Sequence, residues 1–342
     1  TKARIEILRG TPVVAIDRAG HRVRLADGRD FPYDKLVLAT GGRNRPLPLP
    51  GADAANVHYL RTIEESHAIG DAMQPGQRLA VIGGGYIGLE VAAIGIKHGL
   101  KVTALVRGPR VLARVTGPEM SAFYEGIHRD AGVDLRTGAA LERIEVVDGR
   151  ATAIVLEGGE RIPVDLVVVG NGLIPCTELA EAAGLEVGNG ILVDAYTRTS
   201  DPDILAVGDV ANHPNPLLKR RMRFESVPNA TEQARTVAAT ICGKDMPYNP
   251  TPWFWSTQYD LKLQMVGISE GYDEVVFRGR PESRSFAVFY LKDGRVIAVD
   301  TVNHLQDFIV AKQLVARQVK ATASQIADEA TPLKTLLEST HG

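Results

Sequence analysis

Arg78-Leu79-Ala80-Val81-Ile82 runs directly into Gly83-Gly84-Gly85-Tyr86-Ile87-Gly88, and the reading of this stretch decides the fold. The first five residues form a short apolar strand. A helix-like segment follows from Leu89 toward His98, with Val91, Ala92, Ala93 and Ile94, and a second strand spans Lys101 to Val106. Strand, glycine turn, helix, strand is the order that a dinucleotide site requires. Gly83 permits the tight turn, Gly85 lets the backbone approach a pyrophosphate, and Gly88 lets helix and strand pack closely. The amides of the helix start then hold the phosphates. A lone glycine motif is weak evidence; its flanking strand and helix give it weight.

Outward from this stretch the chain repeats itself. Ile5-Glu6-Ile7-Leu8-Arg9-Gly10 leads to a turn at Asp27-Gly28, then Pro32-Tyr33-Asp34, the apolar strand Leu36-Val37-Leu38-Ala39, and Thr40-Gly41. Val133-Asp134-Leu135-Arg136-Thr137-Gly138 leads to Gly158-Gly159, Pro163-Val164-Asp165, the strand Leu166-Val167-Val168-Val169, and Gly170-Asn171-Gly172. Each copy reads as strand, hairpin and buried strand ending in glycine. Hairpins before apolar strands are common, but ordered agreement at Gly, Pro, Asp and Gly argues for a true repeat. The second copy has the glycine-loop prologue, and the first would have its own before residue 1. The opening at Thr1, directly into strand-like Arg4-Ile5-Glu6-Ile7-Leu8, accordingly reads as cut, with two dinucleotides expected in the intact protein.

Composition bounds the rest. A chain of 342 residues, 44% hydrophobic and 23% charged, is an ordinary globular protein of two or three domains. A net charge of -2 gives no general attraction to nucleic acid or anionic membrane. Cys176 and Cys242, the two cysteines, lie too far apart in sequence for a CxxC dithiol, a cysteine-ligated cluster or a zinc site, which points to a reducing compartment. With no apolar run of membrane length and no signal peptide, a cytoplasmic location is expected.

Gly83 to Glu90, Ala39-Thr40-Gly41-Gly42-Arg43, Val207-Gly208-Asp209, Glu225-Ser226-Val227-Pro228-Asn229-Ala230 and Pro252-Trp253-Phe254-Trp255-Ser256 together resemble the putidaredoxin reductase-like, FAD-dependent ferredoxin reductases of cytochrome P450 and related oxygenase systems. The likeness runs in order over nearly the whole chain. It implies an α/β fold with two Rossmann-like dinucleotide-binding domains in a glutathione-reductase-like arrangement, the first N-terminally truncated, plus an α+β C-terminal domain. The implied boundaries are 1–41 and 172–247 for FAD, 42–171 for NAD(P), and 248–342 for the last domain. FAD would take hydride from NAD(P)H and pass electrons singly to a [2Fe-2S] ferredoxin, chemistry that asks little acid or base work of the protein. No catalytic triad is expected, and no metal site, since histidines such as His213 lack ligand spacing.

The resemblance assigns FAD contacts to Val13, Thr40, Gly41, Arg61, Asp209 and Val227. Asp209, after the strand Ile204-Leu205-Ala206-Val207, would accept hydrogen bonds from the ribityl chain; it also reads as a helix N-cap. Val227 would offer backbone amide to the isoalloxazine at a helix start, where partial positive charge favours reduced flavin. Arg61 reads equally as a solvated arginine. NAD(P) contacts fall on Gly83, Gly85, Tyr86, Ile87, Gly88, Glu90, Arg107, Arg110, Gly170 and Gly172. Tyr86 and Glu90, one helical turn apart, share a face. Tyr86 would gate the flavin and Glu90 would bind the nicotinamide carboxamide, with a structural ion pair as the plainer role for Glu90.

One departure stands out. The acid expected about 20 residues past the first glycine is replaced by Val106, with Arg107 and Arg110 beyond it. Guanidinium groups in that place point to a 2′-phosphate, hence NADPH or relaxed use, unless Arg107 merely covers the adenine or faces water. Lys219-Arg220-Arg221 with Arg223 is the densest basic run and reads either as a docking patch for an acidic ferredoxin or as a solvated loop. Trp253 and Trp255 share a strand face, near the flavin and partner or in a core. Strands are expected over Phe286–Leu291 and Val296–Val302 about a turn at Asp293-Gly294. A helix follows from Gln306 to Arg317 with Phe308, Ile309 and Leu314 apolar. Enzymatic rivals are an NADH oxidase, a rubredoxin reductase or a nitrite-reductase-like subunit; the rival of another class is a nucleotide-sensing flavoprotein scaffold.

Overall fold

The computed structural model describes residues 5–338 and divides into two compact units, one drawn from Thr1–Arg43 and Ile174–Pro250, the other from Asn44–Leu173 and Thr251–Gly342. In the second unit the deciding stretch forms strand Arg78–Ile82, helix Tyr86–Lys97 and strand Lys101–Val106. The helix starts at Tyr86 rather than Leu89, because extended Gly85 takes the cap position and the turn tightens at once. These strands centre a parallel five-stranded sheet in the order Val57–Tyr59, Leu166–Val169, Arg78–Ile82, Lys101–Val106, Asp134–Thr137. Leu79 through Ile82 and Leu166 through Val169 are buried, as continuous apolar runs must be when both sheet faces are covered.

The same unit holds an antiparallel sheet ordered Trp253–Gln258, Leu261–Gly267, Arg295–Val302, Ser285–Lys292, Glu274–Arg280. Asp293 and Gly294, both at positive φ (49° and 71°), close its hairpin in the geometry that matches strand twist. Helix Leu305–Ala316 packs on the sheet and buries Phe308 and Leu314. Ile309 is 55% exposed, against expectation, because the residue next to buried Phe308 is turned about 100° away around the helix. Leu79, Val81, Leu89 and Tyr124 share one continuous core with Leu261, Leu263, Phe286 and Tyr290, so nucleotide-loop helix and antiparallel sheet are packed together.

In the first unit, strands Val13–Asp17, Arg22–Leu25 and Asp30–Pro32 form an antiparallel meander before Leu36–Leu38, which pairs in parallel with Ile204–Ala206. Leu141–Val147, Arg150–Leu156 and Arg161–Pro163 repeat that meander before Leu166–Val169 in the second unit. The repeat is therefore structural. Its lead strands differ. Asp134–Thr137 joins the parallel sheet, whereas residues 5–8 form no strand and expose Ile5, Ile7 and Leu8; Arg4 lies outside the described residues. Apolar alternation there is not answered by a buried face, and without burial a strand gains little.

Candidate functional site

The glycine loop is built by contact distances. A Cβ on Gly83 would lie 2.2 Å from the Gly170 carbonyl oxygen, and one on Gly88 would lie 2.1 Å from that of Gly83. Gly170 in turn donates its amide to the Ile82 carbonyl at 2.8 Å, which brings the end of Leu166–Val169 onto the loop. Gly85 is the opposite case: nothing lies within 4 Å of its Cβ position. The loop thus closes tightly at its two flanks and stands open in the middle, at a helix N-terminus. That is the shape a pyrophosphate needs, so the residues fit a nicotinamide dinucleotide. Ile87 is 45% exposed on the first turn, and Gly172, at φ 104°, accepts the Arg45 amide at 3.0 Å.

Tyr86 and Glu90 do share a face, and both are engaged by the antiparallel sheet. The Tyr86 ring lies 4.6 Å from that of Phe254 and its hydroxyl donates to Met265 Sδ at 3.1 Å. Burial, with Asp300 and Glu90 nearby, pushes the Tyr86 phenol well above its ordinary value. Glu90 Oε1 accepts from the Ser256 hydroxyl at 2.6 Å. Burial raises the Glu90 carboxyl, while the bonds from Ser256 and the Thr257 amide oppose that rise. No ion pair holds Glu90 among the described residues.

Arg107 follows strand Lys101–Val106 and is exposed, its guanidinium with no hydrogen bond or ion pair among the described residues. Arg110 is spent on its own loop: it donates to the Thr116 carbonyl at 2.9 Å, to Ser121 Oγ at 2.6 Å and to the Ala113 carbonyl at 3.2 Å. Of the two guanidinium groups set against a 2′-phosphate, the structure leaves Arg107. The loop is pinned further along. The Thr116 hydroxyl bonds Asp300 Oδ2, the Tyr290 hydroxyl donates to the same oxygen at 2.9 Å, and the Gly117 amide donates to Tyr290 at 3.1 Å. Asp300 is 2% exposed, and burial pushes its carboxyl up to about 7.

On the first unit, Val13 opens the meander half-buried, Thr40 donates to the Cys176 carbonyl at 2.7 Å, and Gly41, at φ 60°, accepts the Cys176 amide at 3.0 Å. Arg43 reaches Cys176 Sγ at 3.7 Å and pairs with Glu178. Asp209 occupies the single turn Gly208–Val210. Two residues hold that turn: Gln233 Oε1 accepts the Gly208 amide at 2.7 Å, and Arg223 donates to the Asp209 carbonyl at 2.9 Å. Val227, 65% exposed, is the first residue of helix Val227–Ile241, whose cap Ser226 accepts the Asn229 amide at 3.2 Å. Asp209 is therefore not the cap of that helix. Gln233 Nε2, buried behind Gly208, has no protein partner, and it fits a loop that receives a polar ligand chain such as the ribityl of FAD. Arg61 belongs to the other unit, where its amide donates to Glu65 Oε2 at 2.6 Å.

Two members of the basic run serve their own loop. Arg221 donates to the carbonyls of Val193 and Asn212 at 2.6 and 2.7 Å, and Arg223 binds Asn189, Asp209 and Glu225. Carbonyls and carboxylates that the loop must satisfy consume those charges before a partner can. Trp253 and Trp255 share a face, with centroids 5.6 Å apart, and Lys312 Nζ lies 4.4 Å over Trp253. Trp255 is 40% exposed, and Leu305 (59%) and Ile309 (55%) are open on the helix that carries Lys312. Sequence reasoning missed Ser256, Gln258, His128 and Asp300. The alternation in Trp253-Phe254-Trp255-Ser256-Thr257-Gln258 does put Ser256 and Gln258 on the face opposite the tryptophans, which was the one available signal.

The chain matches the pyridine nucleotide-disulphide oxidoreductase family model over residues 1–234 and the reductase C-terminal model over 253–337. It belongs to the pyridine nucleotide-disulphide oxidoreductase family. It is 50% identical to putidaredoxin reductase of Pseudomonas putida over 338 residues, covering 97% of this chain and 80% of that one. Rubredoxin-NAD(+) reductase of Pseudomonas putida is 38% identical over 303 residues, covering 89% and 79%. Among solved structures, the covalent putidaredoxin reductase-putidaredoxin complex matches with TM-score 0.92 at 50% identity, covering 96% of this chain and 80% of that one. The ferredoxin reductase for the CYP199A2 system from Rhodopseudomonas palustris matches with TM-score 0.93 at 43% identity, covering 95% and 80%.

Proposed function

We propose that this protein is an FAD-dependent NAD(P)H:ferredoxin reductase that delivers electrons to a [2Fe-2S] ferredoxin of a P450 or related oxygenase system. The observation that carries the reading is the likeness to putidaredoxin reductase over 97% of the chain, supported by an open glycine loop at the start of helix Tyr86–Lys97. When bound, the flavin supplies the step from two-electron to one-electron transfer. The chain's own residues bind and orient. Thr40, Gly41, Asp209 and Val227 hold FAD in the first unit. Gly83, Gly85, Gly88, Glu90 and Gly170 hold the nicotinamide nucleotide in the second, with Arg107 toward a 2′-phosphate. Tyr86, locked by Phe254 and Met265, excludes water on the Glu90 face. The open apolar residues Trp255, Leu305 and Ile309, with Lys312 over Trp253, suit an acidic ferredoxin better than Arg221 and Arg223, which are bonded to their own loop. The free Cys176 and Cys242 suit a reducing compartment, and we assign the protein to the cytoplasm. No described helix is long and apolar enough to cross a membrane.

The 38% identity to rubredoxin-NAD(+) reductase favours one second reading, a mononuclear iron acceptor. Stopped-flow reduction of the FAD-loaded protein by NADH or NADPH, followed by mixing with a [2Fe-2S] ferredoxin, a rubredoxin or oxygen, decides. Rapid reoxidation by the ferredoxin is expected; turnover with rubredoxin or oxygen alone would remove the assignment.

A further inference from the structure

Behind Glu90 runs a chain of buried polar side chains drawn from three elements. The Ser256 hydroxyl bonds Glu90 Oε1 at 2.6 Å, Gln258 Nε2 bonds Ser256 Oγ at 3.1 Å, and His128 Nε2 bonds Gln258 Oε1 at 2.9 Å. The Tyr259 hydroxyl closes the chain on His128 Nδ1 at 3.0 Å. Ser256, Gln258 and His128 are at most 1% exposed. Their placement follows from local periodicity. Ser256 and Gln258 alternate on one strand, and His128 continues the buried row Met120, Tyr124, His128 of helix Pro118–Asp130. A core face would be filled at lower cost by apolar residues, since each buried polar group must find a partner.

We propose that Ser256, Gln258 and His128 form a one-way relay that holds Glu90 as a fixed hydrogen-bond acceptor for the nicotinamide carboxamide, making them positioning residues for coenzyme binding. The inference rests on the reading of Glu90 as the carboxamide ligand. Direction follows from donor counting. An ionised Glu90 accepts only, so the Ser256 hydroxyl must donate to it and accept from the Gln258 amide group. Gln258 Oε1 then accepts from His128, which must carry its proton on Nε2 and accept at Nδ1 from Tyr259. One pattern satisfies every link, and each dipole points its positive end toward Glu90. A protonated Glu90 can still accept from Ser256 at its carbonyl oxygen, but as a weaker, neutral acceptor, so the relay favours the carboxylate. Burial also keeps His128 neutral, against the opposing pull of Gln258, which protects the tautomer the relay needs. The bonds from Ser256 and the Thr257 amide thus oppose the rise that burial imposes on the Glu90 carboxyl, without reversing it.

The other titratable groups around this carboxylate are Tyr86 on its own helix, whose phenol burial, Asp300 and Glu90 itself push upward, and Asp300 on strand Arg295–Val302. The test is equilibrium titration of the FAD-loaded enzyme with NAD⁺ and NADP⁺, followed by calorimetry and flavin absorbance from mildly acid to mildly alkaline pH. In the unmodified protein, affinity should fall as Glu90 takes up a proton. Ser256→Ala and Gln258→Leu should weaken binding several-fold at neutral pH and move that fall to higher pH, because the carboxylate has lost its donor. Tyr259→Phe should do the same to a smaller extent. Glu90→Gln should bind weakly without the acid-side fall, leaving only any slope due to Asp300. If Glu90→Gln binds like the unmodified protein, the Glu90 reading falls and the relay with it. If Glu90→Gln is weak while Ser256→Ala keeps both the affinity and the pH midpoint, the relay alone is overturned. Ser256→Ala removes a single oxygen, so it decides the matter even if Gln258→Leu does not fold.

Discussion

The two units carry the same meander-then-strand pattern and bury it to different depths. Leu166–Val169 lies between Val57–Tyr59 and Arg78–Ile82 and is buried throughout, whereas in Leu36–Leu38 only Leu38 is fully buried, with Ile204–Ala206 as its partner in the sheet. The glycines differ in kind as well. Gly83 and Gly88 are required by space, with carbonyl oxygens where a Cβ would go, while Gly208 meets nothing closer than the Ala230 Cβ at 3.7 Å and is required by its φ of 76°. A nucleotide site can therefore be set by packing or by backbone conformation, and the two should fail differently under mutation.

Gly88→Ala is the most severe way to test that contrast. The added carbon must displace the Gly83 carbonyl and the loop with it, so NAD(P) binding should drop by roughly a hundredfold or more while FAD content stays normal. Gly208→Ala has room and meets only the left-handed penalty, about 1–2 kcal/mol, and should weaken FAD retention about tenfold with nucleotide binding intact. Equal damage from the two substitutions would dissolve the distinction. Coenzyme titration of the purified variants with flavin absorbance measures both.

The packed unit also contains a charge at odds with its burial. The Asp300 carboxyl is raised from 3.8 to about 7, so the folded protein holds this proton more tightly than the unfolded chain does. Its contribution to stability is complete below about pH 4 and is lost as pH rises through about 7, by at most about 4 kcal/mol. Asp300→Asn keeps an acceptor for Tyr290 and Thr116 without the ionisation. Urea midpoints of the variant should vary less between pH 5 and pH 8 than those of the unmodified protein. Parallel slopes would show that Asp300 does not titrate in this window. On the open unit, Asp209→Ala should loosen FAD by roughly 2 kcal/mol, the scale of a hydrogen bond to a charged group. Flavin loss on dialysis checks it, and full retention would move the ribityl contact elsewhere.

How much of this was legible in sequence follows the same division. Strands Arg78–Ile82 and Lys101–Val106 were read to the residue, because a strand covered on both faces writes a continuous apolar run. A hairpin was read in each copy from its Gly-containing turn, and the structure adds a third strand to each. Residues 5–8 were misread, since apolar alternation states a preference that only a partner strand fulfils. At the site, short-range signals sufficed for the glycine loop and for the Tyr86–Glu90 pair. Asp300 and the Ser256–Gln258–His128 chain joined residues over a hundred positions apart, and Asp300, Gln258 and His128 lie in no motif, while Ser256 only ends one. In the basic run of 219–223 the charge density is visible in sequence, but the carbonyls of Val193 and Asn212 that Arg221 bonds are not.

The smallest expected effect concerns the coenzyme, and it bears on the one place where the packed unit stays open. Val106 stands where an acid would repel a 2′-phosphate, and Arg110 is held by Thr116, Ser121 and Ala113, so discrimination falls on exposed Arg107. An exposed guanidinium pairing with a phosphate contributes about 1 kcal/mol, screened by salt. Arg107→Ala should raise KM for NADPH roughly fivefold, leave KM for NADH within about twofold, and leave kcat for both unchanged, because binding is lost uniformly along the reaction. The NADPH effect should shrink at high ionic strength. An equal rise for both coenzymes would place Arg107 over the adenine they share, and a change confined to NADH would reverse the inferred preference.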